Sequence, residues 1–297
     1  MTKREVRWEL MFPDELNAAL AEFPVVYMPY GLCEPHGPQN VLGCDALRPE
    51  GHMRLAAEEY GGIVMPTTYW HCHEAGTSAN WGHRTIGNHR TWLTSVPPWM
   101  FFKNMAYHIR AVDVLGFHGA IIFSGHAGPH SPDIPEFIEI MQRHVATRLH
   151  CHMPIGMGTD EPRFEDDGGI GGHAGRGETS LLWSVTPGGV DLTRIPPAGT
   201  PGPHFAMGDD AVDSDRRAGE RMHADIVASL GESAKELLAE YNRVQPTRKP
   251  LTFSDVEDIW EADVRPALRN FNSMQQSPED VPEESWWHAN QHIPDRG

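Results

Sequence analysis

Cysteine is scarce in this chain of 297 residues: Cys33, Cys44, Cys72 and Cys151 are the four, and no two stand in a CxxC pair. That spacing argues against a zinc ribbon or a dithiol redox motif and leaves reduced thiols as the simple reading. Long apolar runs are also missing. No stretch approaches the roughly 18 apolar residues of a membrane span, and the charged stretch from Met1 to Arg7 leads into no apolar segment. A protein that stays in the cytoplasm is the expectation. Positive charge is the third deficit: 24 Lys and Arg face 41 Asp and Glu, a formal charge of −17. Such a field repels nucleic-acid phosphates and anionic membrane surfaces, so neither is an expected partner. It attracts cations instead, and 18 histidines join the carboxylates as donors suited to divalent metals.

Glycine (29) and proline (25) are plentiful, which points to many turns and long loops. The length suits one large α/β domain. Val25 to Tyr30 predicts a short buried strand that runs into a Gly- and Pro-rich loop over 31–43. A helical pattern through Met53, Leu55, Ala56 and Ala57 stops at Gly61-Gly62, and Ile63 to Pro66 predicts the next strand, completing a βαβ unit. Residues 67–95 lack periodicity and predict an irregular excursion near the site. Pro97-Pro98 open a helix with Met105, Ile109 and Val112 on one face and Gly116 at its end. A strand over Ala120 to Phe123, a helix over 132–149 with Phe137, Ile138, Ile140 and Met141 inward, and a strand over 153–157 continue the alternation. A Gly-rich segment, 166–177, leads to a helix from Glu178 to Val185, and Ala211, Asp215, Ala218, Met222, Ile226 and Leu230 mark a late amphipathic helix.

Strands alternating with helices predict a mainly parallel sheet covered on both faces, with the site beyond the carboxyl ends of the strands. Residues 1–250 are read as the body. Residues 251–297 are read as an acidic extension whose Trp260, Trp286 and Trp287 pack on that body or on a neighbouring subunit.

Three clusters carry chemistry. In Glu34-Pro35-His36-Gly37-Pro38, residues two apart in extended chain project to one side, so Glu34 and His36 can face one point, with Asp45 closing the loop. A carboxylate beside an imidazole suits zinc, manganese or iron. A capped turn explains the same residues equally well, with Asp45 capping the following helix. Ser124-Gly125-His126-Ala127-Gly128-Pro129-His130 puts His126 between small residues at a strand's end, where a ligand can approach the backbone; a tight turn is the alternative. His130 reads as a neighbour of the site or a surface residue. His173-Ala174-Gly175-Arg176-Gly177-Glu178-Thr179-Ser180 delivers a His and then a Glu at the start of a helix, where the dipole alone also favours Glu178.

Taken together, these stretches resemble the creatininase (creatinine amidohydrolase) family, whose pattern is an E-x-H-G loop, a G-T-D, an N-G-H-G-G-N turn and an H-x-G-x-x-E-T-S segment in that order. The chain matches with Glu34 to Gly37, Gly43-Cys44-Asp45, Gly125 to Gly128 and His173 to Ser180. The resemblance implies a three-layer α/β/α sandwich, usually a homo-hexamer, with two adjacent divalent ions. It makes Glu34, His36, Asp45, His126 and Glu178 metal ligands, with Asp45 bridging, and His173 the proton-transferring residue. Zinc is the first choice, manganese or iron the alternatives, with one or two ions per chain. The chain departs from the pattern at Gln39, Ser124 and Pro129, and Gly128 stands where creatininase has an acidic ligand.

The implied activity is hydrolysis of a non-peptide amide by metal-activated water. The implied partner is a small-molecule amide, which the His- and Trp-rich stretch after Trp70 argues is not creatinine. Trp70, His71, His73, Trp81 and His83 are the candidate substrate contacts. The altered flanks motivate an alternative, a metal- or ligand-binding relative without turnover. A metal-dependent lyase or isomerase is a third reading.

Overall fold

The computed structural model describes residues 4–88, 92–153 and 172–294. Its order is α1 (Pro13–Glu22), β1 (Val25–Tyr30), α2 (Cys44–Tyr60), β2 (Ile63–Val64), β3 (His71–Cys72), α3 (Thr77–Thr85), β4 (Ser95–Val96), α4 (Pro98–Leu115), β5 (Gly119–Ser124), α5 (Asp133–Gln142), β6 (Arg148–Cys151), α6 (Arg176–Val185), α7 (Arg216–Val244), α8 (Phe253–Ile259) and α9 (Arg265–Leu268). Four strands form a parallel sheet in the order β2-β1-β5-β6. β3 and β4 form a small separate parallel pair.

Alternation along the central strands sorts the chain into three layers. Val26, Met28, Tyr30, Ala120 and Ile122 face a core shared with α4, α5 and α8. Val25, Tyr27, Ile121 and Phe123 face the opposite core, built with Met53 of α2, Leu181 of α6 and Met222, Ile226 and Leu230 of α7. β1 and β5 are neighbours, yet the chain leaves β1 for α2 on one face and β5 for α5 on the other. Where neighbouring strands send their chains to opposite faces, a crevice opens at their carboxyl ends.

Several expectations need correction. The helix expected over 132–149 ends at Gln142, because buried Asp113 accepts hydrogen bonds from the backbone of Ala146 and Thr147 at 2.9 Å and turns the chain into β6. The strand expected over 153–157 is thus Arg148–Cys151; residues 154–157, and 166–171 of the Gly-rich segment, lie outside the described residues. The excursion over 67–95 contains α3 and two short strands. The late helix starts at Arg216 because the Asp215 carboxylate caps it at the Arg217 N–H, and it runs to Val244.

The segment after Pro250 carries α8 and α9 and short helical turns at Asn272–Met274 and His288–Asn290. Leu251, Val256, Ile259, Trp260 and Phe271 join the core around α4, and Trp287 packs with Ala79 and Ile86. Among the described residues no helix is long and apolar enough to cross a membrane.

Candidate metal centre

The crevice beyond β1 and β5 collects the five proposed metal ligands. Gly31 follows β1 and Gly125 follows β5, and both press on the backbone of Asp45 so closely that a Cβ on either would collide with it. This pins the first turn of α2 between the two strand ends. Asp45 Oδ1 then lies 3.0 Å from His36 Nε2, and Asp45 Oδ2 lies 3.1 Å from His126 Nδ1. The same His126 nitrogen is 3.1 Å from Glu34 Oε2, while Glu34 Oε1 faces His73 Nε2 at 3.1 Å. Glu178, in the first turn of α6, brings Oε2 to 3.7 Å from His36 Nε2.

The loop from Glu34 to His36 also orients imidazoles through its carbonyls. His36 Nδ1 donates to the Glu34 carbonyl at 3.1 Å, which leaves Nε2 as the free lone pair aimed at the carboxylates. His173 Nε2 donates to the Pro35 carbonyl at 2.9 Å, which frees its Nδ1, and the two rings lie 4.1 Å apart. His73 is arranged the other way round. Its Nδ1 accepts from the Glu74 N–H at 2.7 Å, which turns Nε2 toward Glu34 Oε1 at 3.1 Å.

Glu34, His36, Asp45, His73, His126 and Glu178 are buried and His173 is half-buried, and both Glu34 oxygens and His36 Nε2 lack a hydrogen-bond partner. Buried polar atoms without partners are rare and costly. Burial opposes charge on each group, but mutual attraction wins. Beside Asp45, His36 is raised to about 9, and beside Glu34 and Asp45, His126 is raised to about 10. Burial likewise opposes ionisation of the two carboxyls, and the facing imidazoles hold both well below their ordinary range. Oxygen and nitrogen donors packed this way fit a divalent cation, which would replace the protons. Glu34, His73 and His126 form one group of donors within ligand distance of one another, and His36, Cys44 and Asp45 another.

Above the cradle lies a cavity of about 590 Å³. Glu34, Asp45, His126 and His173 line it on one side, and Thr77, Ser78, Trp81 and Arg84 of α3 on the other. Burial first, then neighbouring His36, lowers the pKa of His173. Of the proposed substrate contacts, His73 and Trp81 border this cavity. His71 lies behind it, within hydrogen-bond distance of Ser124 Oγ; His83 pairs with Ser285, and Trp70 is 55% exposed and apart from the lining.

The family profile for creatininase, creatinine amidohydrolase, matches residues 9–233. The chain belongs to the creatininase family. Its fold is similar to a solved creatinine amidohydrolase (creatininase) at 22% identity and a TM-score of 0.62, covering 78% of this chain and 98% of that one. A structure described as creatininase Mn is similar at 23% identity and a TM-score of 0.61, and a creatininase mutant of Zn-Zn type at 23% and 0.62, each with the same coverage. No curated protein matches the chain. The family match ends within α7, so α8, α9 and Trp287 lie outside it, while Ala79 and Ile86, against which Trp287 packs, lie inside it.

Arg48 escapes a reading of the sequence, and His130, expected beside the site or on the surface, is the former. Arg48, one turn after Asp45, donates through Nη2 to Glu178 Oε1 at 2.7 Å, to Asp45 Oδ1 at 3.0 Å and to the Gly125 carbonyl at 2.8 Å. His130 is buried, with Nε2 donating to the His126 carbonyl at 3.1 Å. The i, i+3 spacing of Asp45 and Arg48 is the one available signal for the first, and it describes any surface helix pair equally well.

Proposed function

We propose that this creatininase-family chain is a divalent-metal-dependent amidohydrolase that cleaves a non-peptide amide C–N bond, cyclic or open, in the cavity above the cradle. One observation carries the reading. Glu34, Asp45, His126 and His36 converge in a buried site with acceptor atoms left unsatisfied, and a cation is the partner that satisfies them together. Glu34, Asp45 and His126 would hold it, with His36 and Glu178 grouped around the other oxygen of Asp45. Zinc or manganese suits these donors. The ion supplies Lewis acidity toward water and toward the amide carbonyl.

The protein's own groups do the rest. His173 begins neutral, because burial and His36 depress its pKa, so its free Nδ1 accepts a proton from the attacking water and passes it to the departing nitrogen. The Pro35 carbonyl fixes that tautomer. Trp81, its ring 4.8 Å from His173, forms an apolar wall for a flat substrate. The body and the 251–297 segment act as one unit in this reading. Exposed apolar side chains such as Leu42 and Trp70 suit the interface of a homo-oligomer, which sedimentation would measure.

The test is a screen of cyclic amides, formamides and short peptides with added zinc or manganese, with products identified by mass. Gain of one water, lost on chelation and restored by metal, is the expected result. A metal-loaded protein that hydrolyses none of these classes would favour a binding role, and a product without added water would favour a lyase or isomerase.

A further inference from the structure

The ligand atoms fall into two triads that share Asp45. Glu34 Oε2, Asp45 Oδ2 and His126 Nδ1 form the first, with both oxygens 3.1 Å from the nitrogen. His36 Nε2, Asp45 Oδ1 and Glu178 Oε2 form the second, with the oxygens 3.0 Å and 3.7 Å from the nitrogen. The second triad already has a cation. Arg48 Nη2 sits 3.0 Å from Asp45 Oδ1 and 2.7 Å from Glu178 Oε1, and the Gly125 carbonyl fixes it at 2.8 Å.

We infer that Arg48 is a resident cation standing in for a second divalent ion, so that each chain holds one ion, in the triad of Glu34, Asp45 and His126. This rests on the metal-dependent reading above and departs from the paired ions of the relative of Zn-Zn type. Charge balance is the physical argument. The site contains three buried carboxylates, Glu34, Asp45 and Glu178, and one buried guanidinium. One divalent ion brings the total to neutrality. A second would leave a buried site with a net positive charge, its Glu178 ligand already engaged, and a fixed guanidinium within a few ångströms. Arg48 has little room to withdraw. It stands on the first turns of α2, is almost fully buried, and its Nη2 alone meets two carboxylates and a backbone carbonyl.

Elemental analysis of protein equilibrated with zinc and freed of loose metal tests the inference. The wild type is expected to hold one equivalent per chain, and Arg48→Gln two, because Glu178 and Asp45 then face no fixed cation. Two equivalents in the wild type, or one in a folded Arg48→Gln, would overturn it. Should Arg48→Gln fail to fold, electron paramagnetic resonance of the manganese-loaded wild type decides. The spectrum of an isolated ion is expected, and that of an exchange-coupled pair overturns the inference. A wild type that retains no metal would sink the functional reading as well, so the two failures are distinguishable.

Discussion

Two groups of histidines lie near the carboxyl end of β5, and their buried members, His36 and His126 in one and His52 and His152 in the other, behave in opposite ways. In the cradle, His36 and His126 are raised to about 9 and about 10 because Asp45 and Glu34 face them. Toward α7, His52 stacks on Phe123, His152 meets the same ring edge-on, and His52 meets His223, with no carboxylate opposite His52 or His152 among the described residues. Burial lowers His152 to about 4 and keeps His52 far below its ordinary value, with His223 and Arg48 adding to the effect on His52. Burial alone therefore makes a neutral packing residue, and facing carboxylates make a cation cradle.

The strongest way to break the contrast is to remove the carboxylates. Glu34→Gln or Asp45→Asn should abolish tight metal binding and lower turnover by about 1,000-fold or more, since the lost Lewis acidity contributes several kcal/mol. Metal titration and product formation would measure both. His173→Ala should separate the roles, with metal content retained and turnover down by about 100-fold or more. Loss of metal in that variant would make His173 a ligand. Trp287→Ala tests the far wall. Its indole is buried against Gly82 of α3 and its Nε1 donates to the Gly87 carbonyl. Removal should destabilise the protein by roughly 3–5 kcal/mol and raise KM while leaving metal content unchanged.

The smallest effect is the pH response of chelated protein, where the two groups predict opposite limbs. A raised imidazole stabilises the fold fully below about pH 6.5, and that contribution fades as pH rises through the folded values near 9 and 10. His152, held down near 4, costs stability as pH falls from about 6.5 toward 4, because the unfolded chain then binds the proton that the folded chain refuses. Thermal melts across this range should slope on both sides. His152→Gln should flatten the acid limb by about 1–3 kcal/mol, and metal loading should flatten the basic one.

Legibility in the sequence followed how local each signal was. Glu34, His36 and His126 sit directly beyond β1 and β5, in loops whose Gly and Pro content set them apart, and the sheet's crevice falls where strand alternation said it would. Arg48 and His52 were not legible, because they sit on α2 at spacings that any helix shows, and their importance comes from Glu178 and His223, more than a hundred positions away. His73 was read as a substrate contact. Its reach to Glu34 depends on a chain reversal between β2 and α3 that no periodicity encodes. The α3 helix was missed for a related reason: Thr77 to Thr85 carries little apolar pattern of its own and is held by the C-terminal segment, through Asn80 to Ser277 and His83 to Ser285.

Gly31 and Gly125 carry a consequence beyond geometry. They lock the strand ends to the Asp45 backbone with no side chain between them, so one bank of the cavity has almost no freedom to vary. The opposite bank, α3 buttressed by Trp287, meets its neighbours through side chains that substitution can reshape. New substrates can therefore be acquired along that bank while the chemistry opposite stays as it is.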